Sequence, residues 1–417
     1  MAGNEYAGQS ANTLNTKATT PSQAVSQWST VALIVLVGLN LRPFLTAPGP
    51  ILSLIQADTG LGNGSVAMLT LLPMLLMGLG AFVSPAVQVA TGTRRGVVVA
   101  VILLGLGSAL RAIAPNGFTL ILTAVLCGAG VAFIQAVLPG IIKAKFAGST
   151  APITGLYSAM IMAGGAAGAW AAPALVKASY DWHIALAAMA LPVIFALPAA
   201  LLALSNTKFA RPEPGLSQRL LRRPRTWTLM IAFGLVNGGY VSLVAWLAPF
   251  YQSMGWSALN SGKLVAAMAV SQAIAALLVP FLARRSIDRR PWLLATLLMQ
   301  GLGFAGLAYW PMVAPLFWVV VCGVGLAASF ALAIVTALDH FESAESAGAL
   351  AALMQGGGFL MAAFAPYAIA LLLDRGGEYA DGWVMHLVFV AITFALYLRF
   401  DPKRYAQAMK IDGPAAL

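Results

Sequence analysis

The sequence carries little charge. Charged residues make up 9% of its 417 positions, whereas soluble domains contain roughly 25%. Hydrophobic residues make up 60%, and the mean hydropathy is +0.85. This composition excludes an ordinary soluble protein and is typical of a chain that crosses a membrane many times.

The residues on which enzymes and metal sites depend are also scarce. The chain has two cysteines, three histidines and thirteen acidic residues. Cys127 and Cys322 both fall inside apolar segments, which predicts free thiols and no disulfide framework. The sequence has no P-loop, and no paired histidine and carboxylate inside an apolar segment. We therefore predict that the protein is not an enzyme, has no cofactor or metal, and does not use ATP.

Apolar segments of about 20 residues, enough to cross a bilayer of ~30 Å, recur along the whole chain. Several of them contain proline and glycine, which membrane helices tolerate. We predict twelve transmembrane helices, at residues 28–55, 63–90, 96–114, 117–142, 150–177, 182–204, 226–252, 258–283, 291–309, 312–338, 344–373 and 383–399.

The basic residues concentrate in alternate loops between these segments. Of the 24 Lys and Arg residues, 19 lie on one side, and the other side holds only Arg111, Lys177, Lys263 and Arg375. An excess of Lys and Arg marks the cytoplasmic face, which predicts that both termini are cytoplasmic. The net charge of +11 therefore reflects membrane topology, and no nucleic-acid partner is predicted.

The second half of the chain repeats the first. Gly38 matches Gly234, and the run from Gly105 to Pro115 matches the run from Gly301 to Pro311, each at an offset of 196 residues. Six predicted helices separate the equivalents, so the two repeats are parallel in the membrane. Parallel repeats are the arrangement of major facilitator transporters, whose substrates bind near the midplane between the halves. The predicted fold is therefore an all-α membrane protein with a major facilitator fold.

Polar stretches divide the chain around two predicted six-helix bundles, 28–204 and 226–400. Residues 1–27 lack the pattern of a signal peptide, and we predict a disordered cytoplasmic tail. Residues 205–225, with several prolines and five arginines, are predicted to form the cytoplasmic linker between the bundles. Residues 401–417 are predicted to form a cytoplasmic C-terminal tail.

The loop after the eighth predicted helix, "LARRSIDRRP", is similar to the gating loop of this superfamily. It contains Asp288 followed by Arg289 and Arg290, whereas the first-half equivalent, "VQVATGTRRG", keeps Arg94 and Arg95 but lacks the acid. Two interpretations remain open for these residues, namely a gating role and the general excess of positive charge on the cytoplasmic side.

Residues that the repeat does not duplicate need a reason beyond the scaffold. Arg42 lies inside the first predicted helix, and its equivalent 196 residues later is Gly238. An arginine at membrane depth costs at least ~2.5–3.5 kcal/mol, and all thirteen acidic residues fall in tails, loops or helix ends by this segmentation. The remaining counter-ion is an anionic substrate. The alternative is an arginine held by helix carbonyls and amide side chains.

The surroundings of Arg42 favour a cavity. Gly38, Arg42, Thr46 and Gly49 follow one another at spacings of four, four and three residues, which predicts that they share one small, polar helix face. Pro43 also leaves one helix carbonyl without its usual donor. We therefore predict that this face forms part of the wall of the substrate cavity.

Other unduplicated polar side chains lie on helices that line the cavity in this superfamily. Each of them either contacts the substrate or makes a helix–helix hydrogen bond worth about 0.6 kcal/mol, and the two weakest candidates, Asn40 and Trp246, could equally serve packing. With Arg42, the predicted substrate-binding residues are Asn40, Thr46, Gln135, Tyr157, Asn237, Tyr240, Trp246, Gln272 and Gln355.

Five segments carry a family resemblance. They are "GLNLRPFLTAPGP", "FIQAVLPGIIKAKF", "GLVNGGYVSLVAWLAPFY", "VVCGVGLAASFALAIVTALDH" and "LMQGGGFLMAAFAP". These segments closely resemble the bacterial cyanate transporter (CynX) family of the major facilitator superfamily. The resemblance extends from about Val31 to Arg404, which is nearly the whole chain.

The resemblance implies a multi-pass carrier of the bacterial inner membrane that moves cyanate, a small linear monoanion, by alternating access. Arg42 would then be the anion ligand at the midplane. The nearest alternative is an exporter of nitroimidazole-like molecules, with Arg42 bonding a nitro group. The predicted partners are the small anion and the lipid bilayer, and the protein is predicted to be a monomer.

Overall fold

The computed structural model describes residues 21–146, 150–179, 181–204 and 215–410. Twelve of its helices are long and apolar enough to cross a membrane, and no strand occurs in the described part of the chain. The all-helical membrane fold is therefore confirmed. The rest of the predicted tails and linker, at 1–20, 205–214 and 411–417, lies outside the described residues.

The membrane spans, numbered 1 to 12 in chain order, agree with their predicted positions. Spans 1 to 6 are Gln27–Thr59, Asn63–Ser84, Thr93–Ile113, Gly117–Ile142, Ile153–Ser179 and Trp182–Ala203. Spans 7 to 12 are Pro224–Ser253, Ala258–Ala283, Arg290–Tyr309, Pro315–Leu338, Ser346–Asp374 and Tyr379–Tyr397. The helices of spans 2 and 4 continue past the apolar region to Thr91 and Lys145.

Local sequence signals explain several helix starts. The Asn116 side chain accepts a hydrogen bond from the amide of Thr119 at 3.0 Å where span 4 begins, and Ser257 accepts one at the start of span 8; both are preferred N-cap residues. Span 7 begins with Pro224, and proline is favoured at the first helical position because its fixed φ fits a helix and its missing N–H is not needed there. The first helix begins at Pro21, seven residues before its predicted start at residue 28.

Span 1 is not one continuous helix. It consists of helix Pro21–Asn40, helix Pro43–Thr46, a 3-10 turn Gly49–Ile51 and helix Leu52–Thr59. Pro43, Pro48 and Pro50 remove three backbone donors from one short stretch, which interrupts helical hydrogen bonding. The prediction of a single helix over 28–55 is wrong in this respect, and Leu41 and Arg42 lie in the break.

Two other spans are also segmented, and short helices lie in the predicted linker and C-terminal tail. Span 6 consists of Trp182–Ala187, the 3-10 turn Ala188–Ala190 and Val193–Ala203, and span 11 of Ala344–Ala362 and Phe364–Asp374. A short helix, Leu216–Leu221, precedes span 7 within the predicted linker. The described start of the predicted C-terminal tail contains the turn Pro402–Arg404 and helix Tyr405–Ala408.

The sequence repeat reappears in the packing of the helices. A Cβ atom on Gly38 of span 1 would lie 2.9 Å from the Cβ of Met160 in span 5, and one on Gly234 of span 7 would lie 2.9 Å from the Cβ of Met361 in span 11. Small residues allow membrane helices to approach closely. The first and fifth helices of each bundle are therefore held together in the same way.

The two bundles meet along spans 2 and 11 and along spans 5 and 8. Spans 1 and 7 are the most enclosed, because 72% and 83% of the residues in their most apolar stretches are buried, whereas this share is 22% in spans 6 and 12. Spans 1 and 7 are therefore central. They carry Arg42 and Tyr240, two of the predicted substrate-binding residues.

Candidate functional site

Arg42 lies at the break in span 1. Its backbone has φ −120° and ψ −24°, outside the helical region, because Pro43 begins a new helical turn directly after it. The residue is 5% exposed, and its Nε and Nη1 atoms have no hydrogen-bond partner in the described part of the chain. No ion pair among the described residues involves Arg42. The site thus contains a buried cation with unused donors.

Side chains of two other spans surround this cation. The Cζ atom of Arg42 lies 5.0 Å from the centroid of the Tyr240 ring in span 7, a distance suited to a cation–π interaction. The buried hydroxyl of Tyr157 in span 5 has no hydrogen-bond partner among the described residues. A Cβ on Gly165 would come within 3.4 Å of the Cβ of Arg42. Spans 1, 5 and 7 therefore converge at the guanidinium.

Three predicted amide ligands keep a buried oxygen without a partner, namely Asn40 Oδ1, Gln135 Oε1 and Gln272 Oε1. The Asn40 amide nitrogen donates to the carbonyl of Leu36 at 2.7 Å. Buried polar atoms are normally hydrogen-bonded, and a glutamine amide can present either its oxygen or its nitrogen after a flip. Gln135 of span 4 and Gln272 of span 8 therefore offer adaptable polar groups to a ligand.

The other predicted ligands use their donors within the protein. The Thr46 hydroxyl donates to a backbone carbonyl of span 5 at 2.8 Å, and the fully buried indole of Trp246 donates to the carbonyl of Pro366 at 2.9 Å. These two bonds join neighbouring helices, so both side chains serve packing. Asn237 and Gln355 each donate to the carbonyl four residues earlier in their own helix, at 2.8 and 3.4 Å.

Three of the four residues on the predicted polar face of span 1 pack against neighbouring helices. Gly38 and Thr46 contact span 5, and a Cβ on Gly49 would lie 2.9 Å from the carbonyl oxygen of Val244 in span 7. The break at Arg42 also removes the helical register on which that prediction depends. Gly38, Thr46 and Gly49 therefore provide close helix packing, and the cavity-wall role of this face stays a prediction.

The loop between spans 8 and 9 is held by ion pairs within the second bundle. Arg290 donates to both carboxylate oxygens of Asp288, with Nη2–Oδ2 at 2.8 Å, and lies 3.6 Å from Asp401. These hydrogen bonds keep the pKa of the Asp288 carboxyl below its ordinary value. Arg289 donates to Asp339 at 3.1 Å. The loop is thereby tied to the ends of spans 10 and 12.

The equivalent loop of the first bundle has a different arrangement. Arg94 and Arg95 are exposed in the first turn of helix Thr93–Ala109, and Gln88 donates to the Thr93 hydroxyl beside them at 3.0 Å. This loop has no acid that could form the pairs seen in its counterpart. The gating role of both loops stays a prediction.

Arg111, which was predicted among the charges of the loops, is instead buried between helices. It is fully buried, and it donates through Nη1 to the carbonyl of Phe44 at 3.0 Å and through Nε to the Thr123 hydroxyl at 3.2 Å. A signal for this role was present in the sequence, because the repeat equivalent of Arg111 is Leu307. Arg111 is therefore, like Arg42, a basic residue that the repeat does not duplicate.

Two hydrogen bonds join the bundles at the end opposite the basic loops. The Asn63 amide at the start of span 2 donates to Asp374 at the end of span 11 at 3.0 Å. The Gln252 amide in span 7 donates to the carbonyl of Pro50 in span 1 at 2.7 Å. A Cβ on Gly262 of span 8 would also lie 2.6 Å from a backbone carbonyl of span 5. The bundles are therefore in close contact at this end.

Comparison with known proteins agrees with this architecture. Residues 34–366 match the Major Facilitator Superfamily. The chain is 40% identical over 381 residues to the cyanate transport protein CynX of Escherichia coli strain K12, covering 90% of this chain and 98% of that protein. It is 28% identical over 376 residues to the 2-nitroimidazole transporter of the same strain, covering 89% of this chain and 93% of that protein.

Solved structures share the fold at low sequence identity. A bacterial homologue of the human lysosomal transporter Spinster, in an inward-facing and unoccupied conformation, has a TM-score of 0.71 at 16% identity and covers 95% of this chain and 100% of its own. A D-xylose–proton symporter has a TM-score of 0.74 at 12% identity, covering 91% of this chain and 98% of its own. The match over residues 34–366, the twelve membrane spans and the relative that is 40% identical all indicate the same family. The chain belongs to the Major Facilitator Superfamily of transporters and, within it, to the cyanate transporter (CynX) family.

Proposed function

We propose that this protein carries cyanate across the bacterial inner membrane by alternating access, with Arg42 as the anion ligand at the midplane. The observation that carries the proposal is the buried guanidinium of Arg42, which has two unpartnered donor atoms and no ion pair within the described residues. An uncompensated charge at membrane depth costs several kcal/mol. A monoanion that binds there offsets this cost.

The chemistry of cyanate suits these side chains. The ion is linear and accepts hydrogen bonds at both its nitrogen and its oxygen end. One end can accept from Arg42 in a charge-assisted hydrogen bond, which is stronger than a neutral one. The other can accept from the Tyr157 hydroxyl, which is buried and otherwise unpartnered, or from the amide nitrogens of Gln135 and Gln272 after a flip of the amide. Similarity to CynX over 90% of the chain supports the same substrate.

The orientation follows from the charges of the loops. We propose that the basic loops and both termini face the cytoplasm, that the two bundles at 28–204 and 226–400 rock about the site, and that the carrier acts as a monomer. Because the acidic residues lie at helix ends, in loops or in tails, a membrane-embedded carboxylate relay for protons is not proposed. Coupling through substrate protonation, exchange with another anion, and facilitated diffusion are all compatible with this site.

The second candidate substrate class is a nitroimidazole-like molecule. A relative named as a 2-nitroimidazole transporter matches 89% of the chain at 28% identity. A nitro group accepts hydrogen bonds from an arginine, and the Tyr240 ring that lies 5.0 Å from Arg42 could stack on a flat heterocycle. The higher identity to CynX, 40%, favours cyanate.

Uptake of isotope-labelled cyanate into vesicles that contain the purified protein tests the proposal. We expect saturable uptake above that of protein-free vesicles, at a pH well above the pKa of cyanic acid so that diffusion of the neutral acid is small. Unlabelled cyanate should compete and 2-nitroimidazole should not. Saturable uptake that 2-nitroimidazole abolishes would favour the second candidate. The absence of saturable uptake by folded protein would contradict the cyanate assignment.

Alternating access requires the bundles to separate at the end where Asn63 donates to Asp374 at 3.0 Å. Cysteines at these two positions should be joined by a short bifunctional methanethiosulfonate reagent, because the side-chain atoms that they replace are in hydrogen-bond contact. We expect the reagent to abolish uptake by the double variant and a reductant to restore it. The single variants Asn63→Cys and Asp374→Cys serve as controls. A cross-linked carrier with native uptake would show that this end does not open.

A further inference from the structure

The carbonyl of Phe44 lacks the donor that a continuous helix would supply. In an α-helix the amide of residue i+4 donates to the carbonyl of residue i, and for Phe44 that residue is Pro48, which has no N–H. Nevertheless Ala47 and Pro48 both have right-handed helical backbone angles. A non-proline amide at position 48 would therefore point at the Phe44 carbonyl.

Arg111 supplies the missing donor from span 3. Its Nη1 donates to the Phe44 carbonyl at 3.0 Å, its Nε donates to the Thr123 hydroxyl of span 4 at 3.2 Å, and its Cζ lies 6.0 Å from the Phe44 ring centroid. The planar guanidinium can reach acceptors on two helices at once, which a lysine ammonium does less well. Arg111 therefore links the segment after the break in span 1 to spans 3 and 4.

The second bundle provides an internal control for this interpretation. At the same offset of 196 residues, Pro48 corresponds to Val244 and Arg111 corresponds to Leu307. Val244 lies within the unbroken helix Pro224–Ser253, where its amide can donate to the carbonyl four residues earlier. The proline and the arginine thus occur together in one half and are both replaced in the other. This pairing is expected if the arginine compensates for the proline.

Arg42 depends on the segment that Arg111 anchors. Arg42 lies in the break itself, and the turn Pro43–Thr46 follows directly. This turn is bonded on one side to Arg111 through Phe44 and on the other side to span 5 through Thr46. Loss of either bond would allow the turn to move, and Arg42 would move with it.

We propose that Arg111 is a positioning residue that replaces the helix donor removed by Pro48 and thereby holds the break in span 1 in the geometry that points Arg42 at the anion. The consequence for transport rests on the proposed function, whereas the hydrogen bond to Phe44 does not. The two parts can therefore be tested separately, with a structural readout and a transport readout on the same variants.

The structural readout is hydrogen exchange of the backbone amides within residues 41–52, measured on the full chain in lipid nanodiscs. The Arg111→Leu variant introduces the residue found at the repeat-equivalent position, Leu307, and should speed exchange of these amides by about tenfold, because exchange reports local opening. Adding Pro48→Ala to that variant should return the exchange to near the native rate. Arg111→Lys, which keeps the charge, should have an intermediate effect.

The transport readout is the KM for cyanate, the substrate already proposed. We expect Arg111→Leu to raise the KM about tenfold, the size expected for loss of one hydrogen bond to a charged group, and Pro48→Ala to reverse most of that rise in the double variant. Pro48→Ala would not reverse a general folding defect, because it restores only the donor to the Phe44 carbonyl and does not replace the bond from Arg111 to Thr123.

The outcomes separate this proposal from the proposed function. Unchanged exchange in Arg111→Leu, or failure of Pro48→Ala to restore it, overturns the positioning role whatever the substrate is. Faster exchange with rescue, in a protein that does not transport cyanate, supports the role of Arg111 as the anchor of the break and contradicts only the cyanate assignment. Faster exchange with rescue but an unchanged KM overturns the link from Arg111 to Arg42.

Discussion

Replacement of Arg42 by glutamine is expected to reduce carrier-mediated cyanate uptake by about 100-fold or more. Glutamine keeps hydrogen-bond donors but loses the charge, and a hydrogen bond to a charged group contributes ~1.5–3 kcal/mol, equivalent to about tenfold to 100-fold in binding. The buried position, with 5% of the residue exposed, places the effect at the upper end of this range because the charge is little screened there. Uptake of labelled cyanate into vesicles with equal amounts of folded protein measures the change.

Thermal stability should respond in the opposite sense. Because no ion pair among the described residues compensates Arg42, its removal takes away a desolvation cost, and the midpoint of unfolding should stay the same or rise.

The matched control is Lys263→Gln, which also removes one positive charge but from an exposed position; it should leave uptake near the native level. Arg42→Lys should retain part of the activity. Native uptake by Arg42→Gln would contradict the anion-ligand role.

Substitution of Gly164 by alanine is expected to lower both stability and uptake. A Cβ at this position in span 5 would overlap the carbonyl oxygen of Leu39 in span 1 and lie 2.8 Å from its carbonyl carbon. The clash is with backbone, so no side-chain rotation relieves it, and span 1 must move away just before the break that carries Arg42. Overpacking of this kind costs ~1–3 kcal/mol. We expect the unfolding midpoint to fall by several degrees and uptake to fall by about tenfold.

Gly140→Ala is the matched control for this substitution. It makes the same change within the helix of span 4, where a Cβ would meet no atom of the described residues within 4 Å and where alanine has the higher helix propensity. The control should be at least as stable as the native protein and should transport at the native rate. Equal behaviour of the two variants would show that close approach of spans 1 and 5 is not needed at Gly164.

Most of the architecture could be predicted from the sequence because each signal is local or periodic. A bilayer requires apolar segments of nearly constant length, so the twelve spans follow from the length and spacing of the apolar segments in the sequence. The charge of the loops predicts their orientation. The offset of 196 residues, seen at Gly38 and Gly234, identifies two parallel bundles, and the matched close contacts of these glycines agree with that repeat.

The candidate site was only partly predictable. The asymmetry between Arg42 and Gly238 identified a buried cation from the sequence. Arg111 is likewise not duplicated by the repeat, but it lies near the end of its apolar segment, and its burial follows only from the packing of spans 1, 3 and 4. Trp246 and Thr46 could be placed on cavity-lining helices, but their hydrogen bonds to span 11 and span 5 depend on how the helices pack.

The sequence by itself determined that the protein spans a membrane twelve times and that its halves are parallel repeats, and it predicted that Arg42 lies inside an apolar segment with no acidic residue beside it. Only the tertiary structure decided which donor replaces the amide that Pro48 lacks and which polar side chains remain unpartnered among the described residues. The physical reason is the range of the interactions. Hydropathy and periodicity are properties of neighbouring residues, whereas the bond from Arg111 to the carbonyl of Phe44 joins residues 67 positions apart and exists only once the helices have packed.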